Sequence, residues 1–470
     1  MKKFFKMLPS VDSLLKNEEL KKIIDLAGRD LGKKTIKKYL ATYRNRILET
    51  GAEPDLKQLI SDIKTSLVKK SGKSLKRVIN CSGVILHTNL GRAPFGKYML
   101  DEISETISGY CNLEYDLQKG KRGHRDTHIN EIITEICGAE RVAIVNNNAA
   151  AVFLILHTLA CGKEVIVSRG ELVEIGGSFR IPDIMRSSGA KLTEVGTTNR
   201  TGIADYENAI TENTGLILKV HQSNYFIGGF TEEASLKELA ELGKRKHIPF
   251  VYDIGSGLIN RPENLKIDDE PDVKSALRYG ADLVCFSGDK LLCGPQAGII
   301  VGKEKYIEKI LRSPLMRVLR VGKMTYAALQ TSFDLYKNEA KLLKENPAFA
   351  FLNRTGEEIN LIAENLSEKL TKNGIKNYVV KTKGKCGGGT LPAVNLDSRA
   401  VKLDCFQDNR TEPSQEYLFH EYLRTNDFPV VAVLKEGNIY FDMLAVDSDE
   451  TDILVDVICN WFNRQNQDAK

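Results

Sequence analysis

The chain has 470 residues, of which 42% are hydrophobic and 27% are charged, and its formal net charge is +5. This composition is ordinary for a folded globular protein and excludes an intrinsically disordered or fibrous one. The longest apolar run, at 149–156, is too short to span a bilayer, and the polar start at 1–16 does not resemble a secretory signal. We therefore expect a cytoplasmic protein with no membrane partner.

The cysteine and histidine patterns argue against disulfides and metal sites. Nine cysteines occur without a C-x-x-C pair, and seven histidines occur without an H-E-x-x-H motif. His124 and His128 are four residues apart but lack other metal-ligating residues nearby. We expect reduced, mostly buried thiols and no bound metal.

Positive charge is concentrated near the N-terminus. Residues 1–77 hold 20 Lys and Arg against 9 Asp and Glu, a net of +11, whereas residues 78–470 hold 47 against 53, a net of −6. Basic residues recur at helical spacing at Lys33, Lys34, Lys37, Lys38, Arg44 and Arg46, and again at Lys69, Lys70, Lys73, Lys76 and Arg77. This concentration is typical of a protein that binds a polyanion, and the alternative is a solvated helix face.

The first 76 residues have a helical pattern. Apolar positions recur at spacings of three and four between 14 and 47, but Gly28 and Gly32 interrupt the run, so we expect two or three short helices. Another helix is expected at 55–68, followed by a polar linker at 69–76. Gly72-Lys73-Ser74 resembles the end of a phosphate-binding P-loop, but Leu67 stands where that motif needs glycine, so we reject it.

The middle of the chain alternates between strand and helix patterns. We expect strands at 141–145, 164–168, 191–195, 216–220, 249–253, 282–286 and 298–301, and helices at about 149–160 and 236–246. This alternation predicts an α/β fold with a mainly parallel central sheet.

The pattern changes again near the C-terminus. A helix at about 355–373, a strand at 377–381 and a hairpin at 430–434 and 439–443 predict a smaller α+β domain. The expected domains are therefore a helical basic domain at 1–75, a catalytic domain at 76–335 and a C-terminal domain at 336–470.

Three features of the middle segment together indicate a pyridoxal 5′-phosphate (PLP) site. Lys290 follows a buried strand and is set among small residues, where desolvation lowers the pKa of a lysine and favours imine formation. Asp253 ends a neighbouring strand, where a carboxylate can face a pyridinium nitrogen. A run between a strand and a helix supplies amides for a phosphate, with a hydroxyl from a serine near the lysine. The residues of this phosphate site are Asn147, Asn148, Ala149 and Ser287.

Three arginines are candidates for binding an anionic co-substrate. Arg317 and Arg320 are three residues apart, so we expect them to share one helix face, and Arg92 lies in a separate motif. Guanidinium groups bind phosphate-like anions and carboxylates in a bidentate manner. The alternative is surface salt bridging.

Several long motifs resemble the bacterial selenocysteine synthases, the L-seryl-tRNA(Sec) selenium transferase family. The resemblance covers nearly the whole chain, including the opening Leu8-Pro9-Ser10-Val11-Asp12. The motifs that carry it are Val78-Ile79-Asn80, 83–94 (GVILHTNLGRAP), 112–117 (NLEYDL), 145–151 (VNNNAAA), 168–182 (SRGELVEIGGSFRIP) and 287–292 (SGDKLL).

The resemblance implies a fold-type-I PLP-dependent transferase that makes L-selenocysteinyl-tRNA(Sec). Lys290 would hold PLP and move the α-proton of the seryl group, and Asp253 would pair with the pyridine nitrogen. Water would be eliminated to give an aminoacrylyl-tRNA, to which selenophosphate would deliver selenium. The basic N-terminal domain would bind seryl-tRNA(Sec), and the resemblance implies a homodecamer.

The resemblance also implies roles for further residues. Arg92, Arg317 and Arg320 would bind the phosphate of the selenium donor. Other active-site positions of the family match Thr197, Thr198, Asn224 and Asp289.

Two short departures from the family pattern concern small residues. Cys293 precedes Gly294 where the family usually has a second glycine, and Cys81-Ser82 stands where it usually has Ala-Thr. Two other functions are weighed against the transferase: a PLP-dependent lyase of a small amino acid or amino sugar phosphate, and a catalytically idle RNA-binding protein. The basic N-terminal domain argues against the lyase, and the intact Lys290 and Asp253 argue against the idle protein.

Overall fold

A computed structural model of the chain describes residues 2–71, 74–175, 179–265, 267, 270–406 and 413–468. Two of the features above fall partly outside this range: Gly72 and Lys73 of the rejected P-loop, and Gly176–Ser178 of the 168–182 motif. The described chain divides into two compact units, Met1–Arg77 and Val78–Lys470. No helix within the described ranges is both long enough and apolar enough to cross a membrane.

The N-terminal unit is helical, as predicted. Its helices are Lys2–Phe5 (α1), Val11–Leu15 (α2), Glu18–Ala27 (α3), Arg29–Thr50 (α4) and Leu56–Ser71 (α5). Side chains such as Leu20, Ile36 and Leu59 form its small apolar core. The 22-residue length of α4 corrects one prediction, because Gly32 does not break the helix.

Packing between helices explains why a glycine stands at position 32. It is buried within α4, and a Cβ there would lie 2.9 Å from the side chain of Ile24 on α3. The absent side chain therefore lets two helices approach closely. Gly28 does interrupt the pattern: its positive φ of 89° ends α3 and precedes α4.

The second unit contains two larger sheets and their covering helices. Its strands are Ile79–Cys81 (β1), Tyr115–Asp116 (β2), Lys121–Arg122 (β3), Arg141–Val145 (β4), Glu164–Ser168 (β5), Glu174–Ile175 (β6), Phe179–Arg180 (β7), Lys191–Val195 (β8), Arg200–Thr201 (β9), Thr214–Val220 (β10), Glu232–Glu233 (β11), Phe250–Gly255 (β12), Leu283–Ser287 (β13), Gly298–Gly302 (β14), Asn377–Gly384 (β15), Leu396–Leu403 (β16), Val430–Lys435 (β17) and Asn438–Asp442 (β18).

Helices cover these sheets. They are Lys97–Ser108 (α6), Thr127–Cys137 (α7), Asn148–Ala160 (α8), Ile181–Ser188 (α9), Ile203–Ala209 (α10), Leu236–Lys246 (α11), Val273–Arg278 (α12), Glu304–Arg312 (α13), Leu315–Leu319 (α14), Lys323–Leu335 (α15), Glu339–Glu345 (α16), Pro347–Leu352 (α17), Gly356–Lys372 (α18), Gln415–Thr425 (α19) and Glu450–Asp468 (α20). Short 3₁₀ turns occur at Thr88–Leu90 and Arg169–Glu171.

The larger sheet confirms the predicted α/β class. Its strand order is β4-β14-β13-β12-β10-β5-β8, and β14 runs antiparallel to both of its neighbours while the other pairs are parallel. Alternate side chains of its central strands enter two separate apolar cores, one on each face. Strands covered on both faces explain the continuous apolar runs in the sequence.

The C-terminal half of the second unit forms a five-stranded sheet with the order β1-β17-β18-β16-β15. The predicted hairpin is present as β17 and β18, and Glu436 and Gly437 both have positive φ at its turn. The first strand of this sheet, β1, comes from residues just after the N-terminal unit. The boundary at 335 between a catalytic and a C-terminal domain stays a prediction.

Candidate active site

The carboxyl ends of β4, β10, β12 and β13 meet at one edge of the larger sheet because these strands run in the same direction. Loops beyond that edge enclose a cavity of about 430 Å³. This is the expected place for a ligand in an open α/β sheet. The residues predicted from the sequence that line it are Arg92, Asn147, Asn148, Ala149, Asn224, Asp253, Ser287, Asp289 and Lys290.

Lys290 is held by a tight loop that follows β13. Gly288 donates its N–H to the carbonyl of Ala297, and Leu291 donates to the carbonyl of Ser256. The side chain of Lys290 lines the cavity although the residue is only 6% exposed. Burial lowers the pKa of its amine below the usual lysine value. A neutral amine in a cavity is a nucleophile that can form an imine with an aldehyde.

Asp253 lies near the end of β12 and is also buried. Its Oδ1 accepts a hydrogen bond of 2.8 Å from the side-chain amide of Asn148. Burial raises the pKa of this carboxyl group, and the hydrogen bond from Asn148 and the positive charge of Lys290 act in the opposite direction. A ring nitrogen that carries a proton would supply a further positive partner.

The N-terminus of α8 supplies donors for an anion. Asn147 caps this helix, and its side chain accepts a hydrogen bond of 2.8 Å from the N–H of Ala150. The backbone amides of Asn148 and Ala149 have no hydrogen-bond partner among the described residues. Free amides at the positive end of a helix suit a phosphate group.

These observations fit PLP. A buried amine, a buried carboxyl group and an anion-binding helix end line one cavity, each matching one part of the cofactor. The backbone also leaves room around the amine, since Cβ atoms at Gly255 and Gly389 would lie 3.8 and 3.7 Å from the Nζ of Lys290.

Arg92 and Asp289 form an ion pair at the cavity wall. Their side chains are 2.5 Å apart, and the N–H of Ala93 donates to the backbone carbonyl of Asp289. Arg92 adopts a left-handed backbone conformation with φ of 62° at the end of a short 3₁₀ turn. The pair fixes a guanidinium group where an anionic ligand can reach it.

The comparisons with known proteins agree with this geometry. The profile of the L-seryl-tRNA selenium transferase family matches residues 78–447. The chain belongs to this family. Its relatives include the L-seryl-tRNA(Sec) selenium transferases of Aquifex aeolicus, 47% identical over 86% of this chain and 88% of the relative, and of Alkaliphilus oremlandii, 41% identical over 96% and 97%.

A solved structure supports the fold independently. D-glucosaminate-6-phosphate ammonia-lyase aligns with a TM-score of 0.57 over 87% of this chain and 98% of its own, at 18% identity. At this identity the likeness speaks for the fold alone. The predicted fold-type-I α/β architecture with a mainly parallel central sheet is confirmed.

Four of the predicted residues of this family member do not line the cavity. Thr197 and Thr198 are exposed in the turn before β9, and Arg317 is exposed on α14. Arg320 lies beyond the end of α14 in an extended conformation, 3.4 Å from Glu114. The prediction that Arg317 and Arg320 share one helix face is therefore wrong, because the helix ends at Leu319.

Cys293 lies near the lysine loop but does not line the cavity. It is buried, and its Sγ accepts a hydrogen bond of 3.3 Å from the N–H of Ala348. Burial raises the pKa of the thiol to about 12, so the sulfur is protonated at neutral pH. This environment agrees with packing.

Several cavity residues were missed from the sequence. His221 and Ser223 directly follow β10, and Gly388 and Gly389 come from the segment between β15 and β16. His221 could have been predicted as a cavity residue, because it directly follows a buried strand. The glycines come from a distant part of the chain, and β16 itself was not predicted.

Proposed function

We propose that this chain converts L-seryl-tRNA(Sec) to L-selenocysteinyl-tRNA(Sec), with PLP as cofactor and selenophosphate as selenium donor. Membership in the L-seryl-tRNA selenium transferase family supports this proposal. The observation that carries it is the burial of Lys290 beside Asp253 in the cavity at the carboxyl edge of the sheet.

Each part of the cofactor has a proposed holder. Lys290 binds its aldehyde carbon, and Asp253, oriented by Asn148, faces its ring nitrogen. The amides of Asn148 and Ala149 and the hydroxyl of Ser287 bind its phosphate, and Asn147 keeps the helix end in shape. When bound, PLP withdraws electrons from the α-carbon of the substrate amine.

The chain's own groups handle the proton and the anions. The amine of Lys290, whose pKa is lowered by burial, accepts the α-proton of the seryl group. Arg92, fixed by Asp289, binds the phosphate of selenophosphate. Asn224 lines the cavity beside the substrate position.

The proposed roles of the remaining predicted residues depend on the assembly of several copies of the chain. Arg317, Arg320, Thr197 and Thr198 lie outside the cavity lining of one chain. Their roles in binding selenophosphate and substrate therefore require that another copy brings them to a cavity. A homodecamer, as the family resemblance implies, supplies such copies.

The substrate proposal also rests on the basic N-terminal unit. Lys33, Lys34, Lys37 and Lys38 are exposed on α4, where phosphates of a tRNA can reach them. We propose that residues 1–75 bind the tRNA, that 76–335 perform the chemistry, and that 336–470 form a further domain. A cytoplasmic location is part of the same proposal.

The lyase of a small amino acid or amino sugar phosphate is the less favoured function. The relative from Alkaliphilus oremlandii covers 96% of this chain and therefore extends into the basic unit. A small substrate gives no reason for a polyanion-binding unit of net charge +11.

The deciding experiment supplies the PLP-loaded protein with selenophosphate and either seryl-tRNA(Sec) or seryl-tRNA(Ser). We expect selenium to enter the aminoacyl group of seryl-tRNA(Sec) only. Free serine and an amino sugar phosphate serve as further substrates. Turnover of a small substrate without reaction of seryl-tRNA(Sec) would instead establish the lyase.

A further inference from the structure

Glu270 is a buried carboxylate beside the cavity that the roles above do not use. It is 1% exposed, and its Oε2 accepts a hydrogen bond of 3.0 Å from the N–H of Leu391. Its Oε1 has no hydrogen-bond partner among the described residues. Burying a carboxylate oxygen without a hydrogen-bond partner costs free energy, so the group that faces this oxygen is a candidate partner.

The group that faces it is the imidazole of His221. The Nε2 atom of His221 lies 3.5 Å from Oε1 of Glu270, and it too is buried without a hydrogen-bond partner in the described part of the chain. A small approach of the two side chains joins these atoms in a charge-assisted hydrogen bond. After such an approach each of the two unpartnered atoms would have the other as its hydrogen-bond partner.

The remaining ring nitrogen of His221 is available to the cavity. The backbone N–H of His221 donates to the carbonyl of Asp253, which fixes the residue at the cavity wall. The side chain is 18% exposed and lines the same cavity as Lys290. With Nε2 directed at Glu270, Nδ1 is the nitrogen that a ligand in the cavity can meet.

The reaction needs a proton donor at the β-hydroxyl as well as a base at the α-carbon. Hydroxide is a poor leaving group, so the β-hydroxyl of serine leaves readily only when it takes a proton. Lys290 receives the α-proton, Asp253 faces the cofactor ring, and Asp289 is ion-paired with Arg92. Among the described titratable side chains that line the cavity, His221 is the one left without a role.

We propose that His221 is the general acid that protonates the departing β-hydroxyl, and that Glu270 is the positioning residue that orients it. This inference rests on the proposed function. The Cα–H bond breaks and its proton goes to the amine of Lys290, while the electron pair forms the Cα=Cβ bond. The Cβ–O bond breaks, its electrons leave with oxygen, and the proton from Nδ1 of His221 completes a water molecule. Solvent then returns a proton to the imidazole.

The first test compares two leaving groups on the same tRNA. His221→Gln in the PLP-loaded enzyme should slow elimination from seryl-tRNA(Sec) by between about 10² and 10⁴-fold. Elimination from β-chloroalanyl-tRNA(Sec) should fall far less, because chloride leaves without a proton. An equal loss with both substrates would overturn the proposal, since a merely structural role affects both alike.

Glu270→Gln tests the positioning role. The amide oxygen of glutamine can still accept the N–H of Leu391, so the local fold is kept while the charge is lost. We expect a smaller loss than in His221→Gln, again confined to the seryl substrate. His157→Gln is the matched control, because His157 is 3.1 Å from the carbonyl of Ser188 and does not line the cavity.

A second readout does not depend on turnover. Diethyl pyrocarbonate acylates unprotonated imidazole, and mass spectrometry of the His221 peptide measures the rate. Glu270→Gln should raise that rate several-fold at fixed pH, because the charge-assisted hydrogen bond that occupies Nε2 of His221 is lost, while the His157 peptide is unchanged. An unchanged His221 rate would overturn the pair. If the wild type eliminates nothing from seryl-tRNA(Sec), the proposed function fails, and this rate alone decides whether the pair exists.

Discussion

The N-terminal unit and the cavity of the larger unit use charge in opposite ways. On α4, lysines such as Lys33 and Lys37 are exposed, and none of the charged side chains described within residues 2–71 is buried. Around the cavity, Lys290, Asp253 and Glu270 are all nearly inaccessible to solvent. The charges of the N-terminal unit are solvated, whereas the charged groups around the cavity are largely excluded from water.

The difference has a chemical consequence. Exposed charges attract phosphates at long range, but their field is screened by salt. Buried groups lose solvation, which lowers the pKa of Lys290 and raises that of Asp253. The first arrangement suits binding of a tRNA and the second suits proton transfer. Experiments on each region should therefore separate binding from chemistry.

The largest effect is expected at the buried lysine. Lys290→Ala should lower conversion of seryl-tRNA(Sec) by at least about 10³-fold, because in our proposal the amine both holds the cofactor and moves a proton. The visible absorption of the lysine–PLP imine should vanish, while tRNA affinity stays within twofold or so of the wild type. Lys309→Ala, at an exposed position on α13, is the control. A variant that keeps the imine band would contradict the role of Lys290.

The next effect tests whether an exposed arginine belongs with the chemistry. Arg317→Ala should slow selenium transfer by about 10- to 100-fold. This range corresponds to the free energy of one charge-assisted hydrogen bond. PLP loading should stay normal. Arg312→Ala is the control, since Arg312 is also exposed and lies 3.5 Å from Glu308. Equal loss of PLP loading and selenium transfer would mean that Arg317 is structural.

A smaller effect is expected on the basic face. Lys33→Glu combined with Lys37→Glu should weaken seryl-tRNA(Sec) binding by about tenfold or more. The slope of log Kd against the logarithm of the salt concentration should fall by about two. Elimination at saturating tRNA should be unchanged. Lys237→Glu, exposed on α11, is the control. Unchanged affinity in the double variant would assign tRNA binding to another surface.

The buried charges also predict a pH effect. Because burial lowers the pKa of Lys290, its neutral amine is present at lower pH than that of a solvated lysine, and PLP uptake by the apoenzyme should rise with pH around a midpoint below the usual lysine value. The carboxylate of Asp253 partly opposes this shift, so Asp253→Asn should move the midpoint lower still. A midpoint at the solvated lysine value in the wild type would contradict the burial.

The smallest effect compares two glycines. Gly32→Ala should destabilise the N-terminal unit by about 1–3 kcal/mol, because the new Cβ meets the Ile24 side chain at 2.9 Å. Gly356→Ala should be neutral or stabilising by up to about 1 kcal/mol, since a Cβ there meets nothing within 4 Å. Chemical denaturation measures both. A stabilising Gly32→Ala would show that helix propensity outweighs the clash.

Much of the fold could be predicted because local patterns reflect it. The strands at 141–145, 164–168 and 191–195 and the helix at 236–246 agree with the structure to the residue. Buried parallel strands are continuous apolar runs, and amphipathic helices repeat every three or four residues. β16 was missed because its residues, LDSRAVKL, mix polar and apolar types on a partly exposed sheet.

Some residues of the active site could be predicted from the sequence and others could not. Lys290, Asp253 and Asn148 could be predicted because each directly follows or ends a recognisable strand. Glu270 and Gly389 could not, because both lie in irregular segments distant in sequence. Gly389 lines the cavity, and Glu270 faces His221. Arg320 illustrates the reverse error: its spacing from Arg317 suggested one helix face, but the short helix ends between them.

The sequence by itself determined most of the strands of the larger sheet, the basic N-terminal unit and the lysine and aspartate suited to PLP, because these depend on residues near one another in the chain. Only the tertiary structure decided which groups share a cavity and which atoms lack partners. Burial, pKa shifts and the pairing of His221 with Glu270 depend on segments that folding brings together across 49 positions of sequence. Local patterns carry no record of such distances, so that part of the chemistry appears only once the chain is folded.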